Sequence, residues 1–168
     1  MRRLKRYDGS RDAVGRATAA RAATLACALV ACDPSETEPP PAAVFPQDWQ
    51  ASYTEVRDCR RSGDHDLNYV RILADAAALA PYQKRDAPFP DGAVVLKIEF
   101  ADPECTDTSG FTAMRREAGF DAPNGDWHWQ RLDATETVTE DGKLDRCIGC
   151  HTSCGAPPDG HDSTCAVP

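Results

Sequence analysis

The sequence predicts one α+β domain behind a leader and a tether. Three observations carry that expectation. Val94, Leu96, Ile98 and Phe100 alternate with Ala93, Val95, Lys97 and Glu99, the two-residue period of a strand. Shorter apolar runs follow, separated by the turn signals Asn124-Gly125-Asp126 and Asp141-Gly142. Ahead of them lie two stretches at helical spacing, with Asp48 and Asp75 placed as N-caps. The 168 residues suit one domain, or one domain plus a tail.

Residues 1–31 read as a signal peptide. They hold seven basic and two acidic side chains, a net of +5, and end in an apolar run over residues 22–31. That run is too short to span a bilayer as a helix, and no 18-residue apolar run exists elsewhere. Leu29-Val30-Ala31-Cys32 resembles the lipobox of bacterial lipoproteins, which implies cleavage before Cys32 and a diacylglycerol on its sulfur. Residues 32–46 contain five prolines, favour extended backbone, and read as a tether from the membrane to the domain at 47–168.

Within the domain, Trp49, Tyr53 and Val56 predict a helix over 48–61, stopped by Ser62-Gly63-Asp64. Residues 68–73 read as a strand, and Asp75 opens an Ala-rich helix that should end before Pro81. Pro88-Phe89-Pro90-Asp91-Gly92 is a turn. The clearest strand, 93–100, follows it, and further strands are expected at 111–116, 127–132 and 135–139.

The overall charge is −8, and residues 32–168 carry 12 basic against 25 acidic side chains, a net of −13. Nucleic acid is excluded as a partner, because phosphate contacts need a basic face. An acidic surface suits docking to a basic redox protein. Eight cysteines point to an exported chain or to a metal or cofactor site.

Cys147-Ile148-Gly149-Cys150-His151 is the attachment motif of a c-type haem. Each sulfur adds across one haem vinyl, and the two intervening residues span the distance between the vinyls. The adjacent His is then held under the iron as its proximal ligand. Two other chemistries use the same residues: a cramped zinc site from Cys147, Cys150, His151 and Cys154, or two disulfide cysteines beside a surface His. Only 17 residues follow His151 and none is Met, so a second axial ligand must come from upstream. Met114, His65, His128 and Lys97 are the candidates. Each has a plainer reading: Met114 in the core, His65 solvated between Asp64 and Asp66, and His128 exposed opposite Trp127 and Trp129. On those readings the iron keeps an open distal site, which binds or transforms small ligands.

The series Pro88-Phe89-Pro90-Asp91-Gly92, Val94-Val95-Leu96-Lys97, Met114-Arg115-Arg116, Gly125-Asp126-Trp127-His128-Trp129 and the haem motif resembles the cytochrome P-460 family, which includes the cytochrome c′-beta proteins. The resemblance covers about residues 47–168. It implies an antiparallel β-sheet packed with a few helices around one covalent haem c, and binding or oxidation of hydroxylamine and nitric oxide. The alternative it leaves open is a non-catalytic haem lipoprotein that transfers electrons or binds gas. In the enzymatic members a lysine is cross-linked to the haem edge, and Lys97 falls in the matching strand. Lys97 and Glu99 lie opposite the apolar face of their strand, so they enter a haem pocket or face water. In the pocket, Glu99 is a candidate acceptor of substrate protons. Arg115 and Arg116 are candidates to pair with haem propionates.

Cys59, Cys105, Cys154 and Cys165 remain, an even number that allows two disulfides in three connectivities. The favoured pairing is Cys154–Cys165, closing the tail over the haem motif, with Cys59–Cys105 tying the first helix to the sheet. The expected partners are a small nitrogenous ligand or substrate, a redox protein and the membrane through its lipid anchor, with room for a homodimer. The expected location is the periplasmic face of a membrane.

Overall fold

The computed structural model describes residues 39–63, 65 and 68–168. The leader at 1–31, the lipidation candidate Cys32 and the start of the tether lie outside the described residues. Six strands form one antiparallel meander in chain order: β1 Thr54–Arg61, β2 Tyr69–Ala74, β3 Val94–Phe100, β4 Thr108–Arg116, β5 Trp127–Asp133 and β6 Val138–Gly142. Among the described residues three α-helices accompany it, α1 Trp49–Ser52, α2 Ala76–Lys84 and α3 Asp145–His151, with short 3-10 turns at Ala122–Asn124 and Thr152–Cys154. Among the described residues no helix is long and apolar enough to cross a membrane.

Both faces of the sheet are covered. On one, Val94, Leu96, Ile98 and Phe100 of β3 join Phe111 and Leu132, under Phe45 and Trp49. Trp49 meets Phe111 edge-on at 6.1 Å. On the other, Ile72, Val95, Met114 and Trp129 pack under Tyr82 of α2, Phe89, and Cys147 and Ile148 of α3. The strand alternation of residues 94–100 therefore separates two buried faces rather than a core from water.

The expected helix at 48–61 is a correction: one helical turn ends at Tyr53, whose backbone is extended, and a strand follows. Apolar residues at 49, 53 and 56 fit helical spacing, but pairing with β2 decides the outcome, Thr54 opposite Ala74 through Arg61 opposite Tyr69. Asp48 makes no side-chain cap, whereas Asp75 accepts from the Ala78 N–H at 2.7 Å. α2 runs through Pro81 to Lys84 instead of stopping before it. Proline forgoes one helical hydrogen bond there, and burial of Ala78 and Tyr82 on the sheet offsets the loss. The last strand begins at Val138 instead of 135, because Asp133 Oδ1 accepts from Thr135 N, Thr135 Oγ1 and Thr137 N and so builds the turn. Asp141-Gly142 accordingly lies in β6.

The disulfides are Cys59–Cys105 and Cys154–Cys165, as expected. Cys59 stands on β1, so its bridge ties an edge strand, not a helix, to the β3–β4 loop. Phe45, which its proline-rich neighbours place in the tether, is buried. Beside it Val44 N–H donates to Gln130 Oε1 at 2.7 Å, and Gln130 Nε2 donates to the Ala42 carbonyl at 2.9 Å.

Candidate haem site

A cavity of about 500 Å³ opens between the second sheet face, α3 and the C-terminal loop. Strand register builds its wall in rows. Ala74, Val95, Met114 and Trp129 stand side by side across β2 to β5, an apolar row. The next row is Ile72, Lys97, Thr112 and Arg131, and beyond it Val70, Glu99 and Gly110. Gly110 is required by crowding, since a Cβ there would meet the Leu132 carbonyl oxygen at 2.8 Å.

The opposite wall carries the attachment motif. Cys147, Cys150 and His151 all line the cavity from α3, and both thiols are free while the other described cysteines are bridged. Burial pushes the Cys147 thiol up from its ordinary value. His151 Nδ1–H donates to the Ser163 carbonyl at 2.6 Å, which leaves Nε2 as the ring's lone-pair nitrogen. Trp129 packs edge-on against the His151 ring at 4.7 Å. The Cys154–Cys165 bridge removes Cys154 from the zinc set, and no group of three metal-holding side chains occurs among the described residues.

The polar end belongs to Lys97, Glu99 and His65. Glu99 is only 6% exposed. His65 Nδ1 lies 3.3 Å from Glu99 Oε1, and Thr112 Oγ1 donates to the same oxygen at 3.3 Å. Lys97 Nζ lies within hydrogen-bond reach of His65 Nε2, on the ring edge away from Glu99. Burial drives the Glu99 carboxyl up, but the His65 hydrogen bond and the charges of His65, Lys97 and Arg131 outweigh it and hold the group below the ordinary carboxylate range.

His65 is a correction. Its acidic neighbours predict solvation, yet the β1–β2 hairpin turns it inward: Ser62 N–H donates to the Asn68 carbonyl and Asn68 N–H to the His65 carbonyl. Its ring centre lies 6.4 Å from that of His151. Met114 lines the cavity as a buried residue, as expected. His128 does not: it is held by Glu117 at 3.1 Å and Asp141 at 2.8 Å and stacks on Phe120.

Arg115 is a second correction. It shares a sheet face with Phe111, does not line the cavity, and binds Glu117 at 2.6 Å. Arg116 pairs with Asp162 at 3.0 Å and does not line the cavity. The guanidiniums at the cavity are those of Arg57, Arg61, Arg131 and Arg146. Arg57 and Arg61 were hidden in the segment expected to be helical. Arg131 was readable, because it shares the alternation of Trp129 along one strand.

The residues present fit a haem. Two free thiols and an imidazole with one nitrogen anchored face an apolar wall with cationic side chains around it, and the buried Trp129 Nε1 has no hydrogen-bond partner. The fold and site define a haem-binding domain. The chain belongs to the cytochrome P460 family, whose model matches residues 46–157. A comparison with curated proteins finds no match.

Proposed function

We propose that the protein is an exported, membrane-anchored mono-haem c-type cytochrome that binds or oxidises small nitrogen species, with hydroxylamine and nitric oxide as the class. The observation that carries the reading is the meeting, in one cavity, of Cys147, Cys150 and His151 on α3 with Lys97 and Glu99 on the sheet. A haem held there would supply redox-active iron for chemistry on a small nitrogen compound. Cys147 and Cys150 hold it by two thioethers, each S–H adding across a vinyl double bond. His151 offers Nε2 to the iron. Arg57, Arg61, Arg131 and Arg146 supply partners for the propionates. Glu99, kept ionised, accepts the protons that oxidation of hydroxylamine releases, and His65 carries them between Glu99 and Lys97. Electrons pass to a basic redox protein drawn by the acidic surface. Cleavage before Cys32 and lipidation of its sulfur place the domain at the periplasmic face.

A second reading, an electron-transfer or gas-binding haem protein, is favoured by His65. Two imidazoles with ring centres 6.4 Å apart face one cavity.

Absorption spectra of protein matured in a c-type host separate the readings. High-spin ferric bands that change on adding hydroxylamine support the first. Low-spin bands that become high-spin in His65→Ala support the second. Mass spectrometry of the tryptic haem peptide shows whether Lys97 carries a third covalent link. A free Lys97 together with a spectrum indifferent to hydroxylamine removes the oxidising activity from the proposal.

A further inference from the structure

The hydrogen bond from His151 Nδ1 to Ser163 depends on a backbone that does not relax into place. Ser163 has φ 69° and Asp162 φ 44°, two consecutive non-glycine residues in the left-handed region. They are the central pair of a type I′ turn closed by the His161–Thr164 bridge, a conformation that costs non-glycine residues energy and gains from contacts that hold it. Asp162 Oδ2 accepts from the Phe89 N–H at 2.8 Å and Oδ1 from Arg116 Nη1 at 3.0 Å. The Asp162 N–H donates to the Gly155 carbonyl at 3.0 Å, and the Cys154–Cys165 bridge closes the loop. On the far side Arg85 Nη2 donates to the Thr164 carbonyl at 3.0 Å and the Ala166 carbonyl at 2.7 Å. Gly160 lies against the Cys154 carbonyl, where a Cβ does not fit. No strand or named core cluster includes Asp162 or Ser163. What the loop presents to His151 is the Ser163 carbonyl oxygen.

We infer that Asp162 is a positioning residue for His151. Resting on the haem reading above, the assignment is that the Asp162 carboxylate, clamped by Arg116 and the Phe89 N–H, holds the Ser163 carbonyl on Nδ1. That contact fixes the tautomer and ring orientation and makes Nε2 a stronger donor. A stronger proximal donor favours the ferric state and lowers the reduction potential.

The test compares Asp162→Asn, Asp162→Ala and Arg116→Gln, each exported and haem-loaded. Asp159→Asn, an exposed acid of the same loop, is the control. The reduction potential is titrated spectroelectrochemically, and the infrared stretch of carbon monoxide on the ferrous protein reports proximal donor strength. Loss of the clamp raises both in all three variants and neither in the control. Arg116→Gln carries the decision: loss of a positive charge by itself favours ferric iron and lowers the potential, so a rise there reports the hydrogen bond. A fall in Arg116→Gln opposite a rise in Asp162→Asn reduces the effect to charge and overturns the assignment. So does a lower melting temperature with unmoved potential and carbon monoxide stretch. If Asp162→Ala yields no haem protein, the two milder variants decide. A wild-type protein with no Soret band removes the haem reading itself, whereas a coloured wild type with unmoved variants removes only the role of Asp162.

Discussion

Glu99 and His65 meet at 3.3 Å inside the cavity although 34 residues separate them in the chain. The contact joins the C-terminal end of a central strand to a hairpin loop at the sheet edge. It keeps a carboxylate ionised where burial alone favours the neutral acid.

That carboxylate makes stability depend on pH in a defined direction. Its folded pKa is depressed, so its contribution is fully present above the unfolded value, about 4.3, and is lost as pH falls through the lower folded value. Glu99→Gln is expected to flatten the acid side of the stability curve. Urea unfolding midpoints of wild type and variant at neutral pH and near pH 3 should converge at the lower pH; parallel curves contradict the expectation.

The strand alternation at 93–100 was legible and put Lys97 and Glu99 together opposite the apolar face, but only the structure decides that this face lines a cavity rather than water. The Asn124-Gly125-Asp126 turn and the Asp75 cap were legible from local chemistry, whereas Asp141-Gly142 lies in a strand. β1 was not, because 49, 53 and 56 satisfy a helix as well as a turn followed by a strand, and the partner that decides is β2. His65 was hidden because the aim of a loop side chain follows from the hairpin that carries it, not from its neighbours. The Ser163 contribution was invisible in principle: it comes from a backbone carbonyl, which every residue has.

Covalent attachment should fail in steps. Cys147→Ser or Cys150→Ser leaves one thioether and a shifted pyridine haemochrome band. The double variant is expected to release all its pigment to acid acetone. Pigment retained by the double variant means that attachment runs through another side chain.

The two disulfides differ in the chain they close. Sequence separations of 46 and 11 give losses of about 4 and about 3 kcal/mol from unfolded-state entropy. Cys59→Ser/Cys105→Ser should therefore lower stability more than Cys154→Ser/Cys165→Ser, as read by denaturant unfolding. The second pair should in addition disturb the haem spectrum, because it closes the loop behind His151.

Phe45 closes the first sheet face from outside the strands. Phe45→Ala should cost about 3–4 kcal/mol, the usual loss for a truncated buried phenylalanine. An unfolding midpoint unchanged by the substitution means that the segment before Pro46 does not dock in solution.

The meander draws every rung of its ladder from residues 54–142, each strand beside its immediate predecessor. Nothing after Gly142 supplies a sheet hydrogen bond. The segment after Gly142 is held instead by loop and side-chain contacts: Asp162 on the Phe89 N–H and Arg116, and Arg85 on the Thr164 and Ala166 carbonyls. Substitutions that loosen it should therefore leave every rung of the sheet in place.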